Sequence, residues 1–253
     1  MNGFWCRVIA ATGGSRLVAG ITLAGASPAA TARPPAAAAT AAHAASHAYV
    51  PAKRTLRYGM RGSDVRALQR RLAQLRYYPG AASGRFGLYT LEAVWAFQAV
   101  QGLPAPGVVG PRTAHALMHP RAPRSRYPGG GAQRIEINLR LRVLLLFTRG
   151  RLALVSHVSA GGGYRYCDRG SCSYAVTPTG HFRTTRYMPG WVRVPLGLMY
   201  DPVFFIGTVY AIHGSNTVPL RSVSHGCVRL PMDIAAFFHT MVRTPGTPVY
   251  IYW

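Results

Sequence analysis

Hydrophobic periodicity changes character along this 253-residue chain. Between Leu56 and Leu117 the apolar residues recur at helical spacing. Val65, Leu68, Leu72 and Leu75 follow Gly62-Ser63-Asp64; Ala93, Val94 and Phe97 follow Thr90; and Leu117 follows Pro111-Arg112-Thr113. These groups predict three short helices closing a small bundle, the first capped by Ser63 or Asp64 and the second by Thr90. Further along the period becomes two. Ile135, Ile137, Leu139, Leu141 and Val143 alternate with Glu136, Asn138, Arg140 and Arg142, which predicts one half-buried strand that Leu144 to Phe147 continue inward. Thr148-Arg149-Gly150-Arg151 reads as a turn and Leu152 to Ser159 as the next strand. Apolar runs follow at Val203 to Ile212 and Val249 to Trp253, with helix period only over Asp233 to Val242. The expected fold class is therefore α+β multidomain, a small three-helix bundle over 55–119 followed by a mainly β, sandwich-like domain over 133–253. The Pro-, Gly- and Arg-rich stretch 120–132 reads as the linker between them.

The first 54 residues carry no such pattern. Arg7 and Arg16 form a positive segment, Leu17 to Ala26 an apolar run of ten residues, and Ala24-Gly25-Ala26 a small-residue cleavage site, which reads as a signal peptide over 1–30. An uncleaved anchor is the alternative, although the run is shorter than the ~20 residues that span a bilayer. Residues 31–54 are an Ala/Pro-rich tether with no face to bury. Export to the cell wall or a periplasm-equivalent space is expected.

Charge narrows the partners. Against 29 Lys+Arg there are 6 Asp+Glu, a formal net charge of +23, and every basic residue but Lys53 is arginine. The basic residues are spread along the whole chain with no recognised nucleic-acid motif, so anionic wall polymers or a membrane surface fit better than nucleic acid. Removing the signal also removes Cys6 and leaves three cysteines. Cys167 and Cys172, in YRYCDRGSCSY, could close a small hairpin as a disulfide in an oxidising compartment, which leaves Cys227 over as a candidate reactive thiol.

Cys227 sits in AIHGSNTVPLRSVSHGCVRL, Ala211 to Leu230, with His213 and His225. A cysteine attacks only as thiolate and needs a base beside it. His213, at the end of the apolar run Val209 to Ile212, is the candidate base. Gly226 permits a tight turn that turns the Gly226 and Cys227 N–H groups toward a developing oxyanion. Two bland readings compete. Cys227 can be a buried small hydrophobe and the histidines ordinary core or loop residues. A zinc site of His213, His225 and Cys227 is the other, although the HxC and Hx13C spacings match no standard zinc pattern.

This stretch resembles the active-site signature of the L,D-transpeptidases of the YkuD type, in which HG-S/T is followed by a variable loop and SHGC-V-R. The resemblance implies that Cys227 is the acyl-enzyme nucleophile and His213 its base. It further implies that Ser224, His225 and Gly226 shape the nucleophile loop, that Gly214 and Ser215 orient the base, and that Arg229 braces the loop or meets a substrate carboxylate. Thr177-Pro178-Thr179-Gly180 is similar to a structural turn of the same family. The helical segment resembles a peptidoglycan-binding domain, on Gly59 to Val65 (G-x-x-G-S-D-V), Leu68 to Leu72, Gly84 to Gly87 and Gly107 to Gly110, with Ser83 where such domains often carry Asp. Tyr78, Phe86, Tyr89, Trp95 and Gln98 are its candidate glycan contacts, core packing being the alternative for each. The implied function is 3→3 cross-linking of peptidoglycan stem peptides through a cysteine thioester with release of D-Ala, in peptidoglycan biosynthesis, cell wall organisation and cell shape. Its partners would be stem peptides and glycan, and no metal or cofactor is implied. An L,D-carboxypeptidase, an enzyme attaching proteins to the wall, and a non-catalytic wall-binding protein are the alternatives. His157 and His181 are read as structural.

Overall fold

A computed structural model describes residues 49–168 and 170–253. The signal, most of the tether and Cys6 lie outside the described residues, which belong to one compact unit, His47–Trp253. Three helices come first: α1 (Ser63–Gln74), α2 (Leu88–Gln101) and α3 (Pro111–Met118). Val65, Leu68, Leu72, Ala93, Val94, Phe97 and Leu117 all point inward, as the periodicity predicts. The caps differ from expectation. Gly62, Gly87 and Gly110 occupy the N-cap positions, with no side-chain cap. Gly62 has φ +151°, and a Cβ there would lie 2.4 Å from the Asp64 carboxylate, so glycine holds the cap position and Ser63 and Asp64 fall inside the first turn. Asp64 instead pairs with Arg54 at 2.7 Å, and Thr90 is buried inside α2.

Buried amides fix the turns that lead into α2 and α3. Gln69 accepts from the Gly84 N–H (2.8 Å) and donates to the Arg85 carbonyl and Thr90 Oγ1. Gln98 accepts from the Gly107 N–H (3.1 Å) and donates to the Val108 carbonyl and Thr113 Oγ1. Each glutamine latches the glycine turn that feeds the next helix. Gln98 and Phe86 are thus core, while Tyr78 and Tyr89 remain exposed.

The β domain contains β1 (Arg134–Asn138), β2 (Val143–Thr148), β3 (Arg151–His157), β4 (Arg165–Asp168), β5 (Ser171–Tyr174), β6 (Gly180–Arg183), β7 (Arg186–Tyr187), β8 (Trp191–Val194), β9 (Gly197–Ile206), β10 (Tyr210–Gly214), β11 (Val228–Leu230), then α4 (Met232–Phe238) and β12 (Pro248–Tyr252). One sheet has the order β3-β2-β1-β12-β6. The second runs β11-β10-β9-β7 with β8 on β9, and β4–β5 form a separate hairpin. Ile135, Ile137, Leu144, Leu146, Val249 and Ile251 of the first sheet pack against Phe205, Ile212, Val228 and Leu230 of the second and Phe238 of α4.

The alternating run 135–143 is not one strand. It breaks at a hairpin turn over 139–142, where the Leu141 N–H donates to Asn138 Oδ1 (2.8 Å) and Arg142 has φ +53°. Alternation continues in phase across this turn, so periodicity alone could not locate it. Nor is the β2–β3 end of the sheet half-buried. Val143, Leu145, Phe147 and Val155 on its other face enter the core of the helical module, which explains why Val143–Phe147 is apolar without alternation. Module and β domain are also joined by the Val155 N–H donating to the Arg76 carbonyl at 2.9 Å, by Trp95 against His157 of β3 (5.4 Å) and by Tyr78 against Phe237 of α4 (5.0 Å). Glu136 is fully buried and paired with Arg134 at 2.8 Å. Two further buried carboxyls meet where α2 faces α4. Burial and the neighbouring Asp233 push Glu92 up to about 8, and burial pushes Asp233 up to about 7.

Candidate active site

β10 carries His213 into the interior beside β11, which begins directly after Cys227; the two strands run parallel with Ile212 opposite Val228 and His213 opposite Arg229. A short apolar strand delivers a polar ring because the residues either side of it, Ile212 and Gly214, belong to packed surfaces. A Cβ on Gly214 would come within 2.7 Å of Ala235 and 3.1 Å of Met232, so only glycine lets α4 approach this close. His213 is buried, and its Nδ1 lies 2.9 Å from the Gly214 carbonyl. A carbonyl only accepts, so Nδ1 carries the hydrogen and Nε2 is the basic nitrogen. Burial, with a smaller push from the Arg229 guanidinium, lowers the imidazole to about 4.

The partly exposed Cys227 thiol donates to the Val209 carbonyl at 3.5 Å. Burial pushes this thiol up, against an opposing pull from the Ala211 N–H and Arg229. The resting pair is therefore a neutral thiol and a neutral imidazole. The turn before the cysteine is built by Gly226 at φ +148°, where a Cβ would lie 2.5 Å from the Tyr210 ring and 2.8 Å from the Val176 carbonyl. Its N–H is occupied: it donates to Ser224 Oγ at 2.9 Å, and Ser224 Oγ–H donates to the Cys227 carbonyl. This corrects the expectation of two free oxyanion donors, since of the two only the Cys227 N–H is uncommitted to Ser224.

His213, His225, Gly226, Cys227 and Arg229 line one cavity of about 410 Å³, closed by Val194 to Met199 of the β8–β9 hairpin and by Tyr166 and Asp168 of β4. Ser224 is buried behind it. Ser215 faces away, its N–H on the Leu230 carbonyl and its hydroxyl accepting from the Thr217 N–H. The His225 ring packs edge-on against Tyr166 (4.8 Å) and Tyr164 (5.5 Å). His213, His225 and Cys227 form no metal-holding cluster among the described residues. Cys167 and Cys172 stand opposite one another in the β4–β5 hairpin and are joined by a disulfide.

A solved L,D-transpeptidase from Xylanimonas cellulosilytica is 36% identical, with a TM-score of 0.74 over 80% of this chain and 100% of that one. The chain belongs to the L,D-transpeptidase family. The model of the L,D-transpeptidase catalytic domain matches residues 132–251, and that of a peptidoglycan binding domain matches residues 61–117. An N-acetylmuramoyl-L-alanine amidase of Mycobacterium tuberculosis, CwlM, is 45% identical over 56 residues, which is 22% of this chain and 14% of that protein. The two matched domains make the chain a cell-wall enzyme of the L,D-transpeptidase type.

Within this L,D-transpeptidase fold, one residue of the site was read from the sequence only as part of a turn. Thr177 is buried; its hydroxyl donates to the Gly226 carbonyl (2.7 Å) and accepts from the Gly161 N–H (2.8 Å). Ser159 stands in the sequence only as the end of a predicted strand. Its backbone pairs with Arg229, and its hydroxyl donates to the Arg221 carbonyl and accepts from the Val223 N–H. Both residues hold the loop that carries Cys227, and neither lines the cavity. The Thr-Pro-x-Gly motif was the available signal for the first; the second had none.

Proposed function

We propose that this chain is an exported L,D-transpeptidase that forms 3→3 cross-links between peptidoglycan stem peptides through a thioester on Cys227. The observation that carries the reading is a partly exposed thiol and a buried imidazole with a free Nε2 on the wall of one cavity. As Cys227 Sγ attacks the carbonyl joining the third stem residue to D-Ala, His213 Nε2 takes the thiol proton. The C–N bond breaks, His213 gives that proton to the departing D-Ala amine, and a thioester remains. The amine of a second stem attacks this thioester; His213 takes its proton and returns it to the leaving thiolate, so nothing is consumed but the two stems.

Because the resting pair is neutral, proton transfer accompanies attack. Arg229 has two opposed effects, favouring the thiolate while disfavouring the imidazolium. The Cys227 N–H, held by the Gly226 turn, meets the oxyanion. Ser224 and Thr177 act only through the loop they fix. Residues 1–30 are proposed as the signal, 31–54 as tether, 55–119 as the glycan-binding module, 120–132 as linker and 133–253 as the catalytic domain. The test is product analysis with a purified disaccharide tetrapeptide: D-Ala release accompanied by a 3→3 dimer is expected. D-Ala release with tripeptide as the sole product would replace this reading with a carboxypeptidase.

A further inference from the structure

The stretch 120–132 reads as a linker, yet its first half is fastened at both ends. At one end the buried Gln101 side chain of α2 accepts from the Arg121 N–H (2.8 Å) and donates to the Arg121 carbonyl (2.9 Å). At the other, Glu136 of β1 accepts from the Ser125 hydroxyl (2.6 Å) and the Arg126 N–H (2.8 Å). Between these pins the chain is a strap across a hollow of about 520 Å³, floored by Val143, Leu145 and Tyr252 and walled by the last turn of α2. Arg121, Arg124 and Arg126 all line this hollow and are exposed. No Asp or Glu lines it, and none of the three arginines has a carboxylate partner: among the described residues the ion pairs are Arg54–Asp64 and Arg134–Glu136. The one neighbouring carboxylate, Glu136, is fully buried and already held by Arg134, Ser125 and the strap backbone. Arg126 lies over the Tyr252 ring at 5.2 Å, which positions its fork.

We propose that this strap is a binding site for a phosphodiester-linked polyanion. Three guanidinium forks on a fixed backbone repel one another, and an anion between them offsets that repulsion. Their Cα atoms span at most about 17 Å, so they present a row of charges to a linear polymer carrying phosphates at intervals. The hollow is concave, which favours a chain laid into it over a flat lipid surface. The hollow and the catalytic cavity share no lining residue, so a polymer held here leaves Cys227 open to its substrate. This inference does not rest on the thioester reading.

The test uses the full chain and soluble poly(glycerol phosphate), with affinity measured calorimetrically over a series of salt concentrations. The variant R121Q/R124Q/R126Q is compared with R112Q/R149Q/R151Q, which removes the same charge from exposed positions elsewhere. The strap variant should bind about tenfold or more weakly, with a salt dependence shallower by roughly two to three charges, while the control stays within about threefold of wild type. Unchanged thermal midpoints certify the fold of both, and R124Q alone, which touches neither pin, should show part of the loss. Equal losses in both triple variants would mean a diffuse field and would overturn the site. So would strap-dependent binding of phosphatidylglycerol vesicles without binding of the polymer, or an equal affinity for polyglutamate.

Discussion

Replacing Glu92 by Gln should make the protein more stable, and by an amount that grows with pH. Glu92 is buried where α2 meets α4, its Oε2 has no hydrogen-bond partner, and the nearest charged group is another carboxyl, Asp233, whose Oδ2 is also unpartnered. Tyr89, the other titratable group in contact with this pair, is itself pushed up by burial and by both acids. Burial raises Glu92 from 4.5 to about 8. A carboxyl raised in the folded state binds a proton there that the unfolded chain has lost, so stability is highest at low pH and falls as pH climbs through the folded value. Between about pH 6.5 and about pH 8.5 the linkage relation gives a loss of roughly 2 kcal/mol from Glu92 alone. His157 and His213, both lowered to about 4 by burial, work in the opposite direction but are present in both proteins and cancel in the difference. Urea denaturation of wild type and E92Q at the two pH values measures this difference directly. The advantage of E92Q should widen by about 2 kcal/mol, or roughly 4 to 8 °C in thermal midpoint for a domain of this size. Parallel stability curves, with a widening below about 0.5 kcal/mol, would refute the reasoning.

Three other predictions concern the Cys227 loop and His213. Thr177→Val leaves the Gly226 carbonyl and the Gly161 N–H without their buried partner, and should cost about 2 to 4 kcal/mol of stability, with a larger loss in turnover than in substrate affinity, read by denaturation and steady-state kinetics. Gly226→Ala forces a Cβ against Tyr210 and the Val176 carbonyl at φ +148°; turnover should fall by about 100-fold or more, and near-wild-type activity would show that the turn is not required. With His213 lowered to about 4, D-Ala release should hold level as pH falls from neutrality and decline only near that value. In Arg229→Gln the acid limb should move upward, because a cation that disfavours the imidazolium is gone. A wild-type acid limb at the ordinary imidazole value of about 6.5 would contradict the buried-base geometry.

The sequence made the fold class legible because each layer has its own period. Val65, Leu68 and Leu72 lie on one helix face, and Ile135 and Ile137 on one strand face, without help from distant residues. It failed where partners from far along the chain decide the outcome. The hairpin at 139–142 preserves alternation and so is silent. The second buried face of the first sheet exists only because the helical module covers Val143, Leu145 and Phe147. In the site, Cys227 and His213 stand out because an isolated thiol and a histidine at the end of an apolar run are chemically conspicuous. Ser224 was read as shaping the loop, but that its hydroxyl occupies the Gly226 N–H depends on a turn geometry that residue types do not encode. Glu92 and Asp233 carry no mark in the sequence, because only folding brings them together.

The measurement that bears most directly on the central claim is intact-protein mass spectrometry of wild type, C227A and H213A after incubation with a disaccharide tetrapeptide. Wild type should gain the mass of the substrate less D-Ala, C227A nothing, and H213A the same adduct at a rate lower by about 100-fold or more. An adduct of that mass on C227A, or none on folded wild type with a reduced Cys227, would contradict the assignment of Cys227 as the nucleophile.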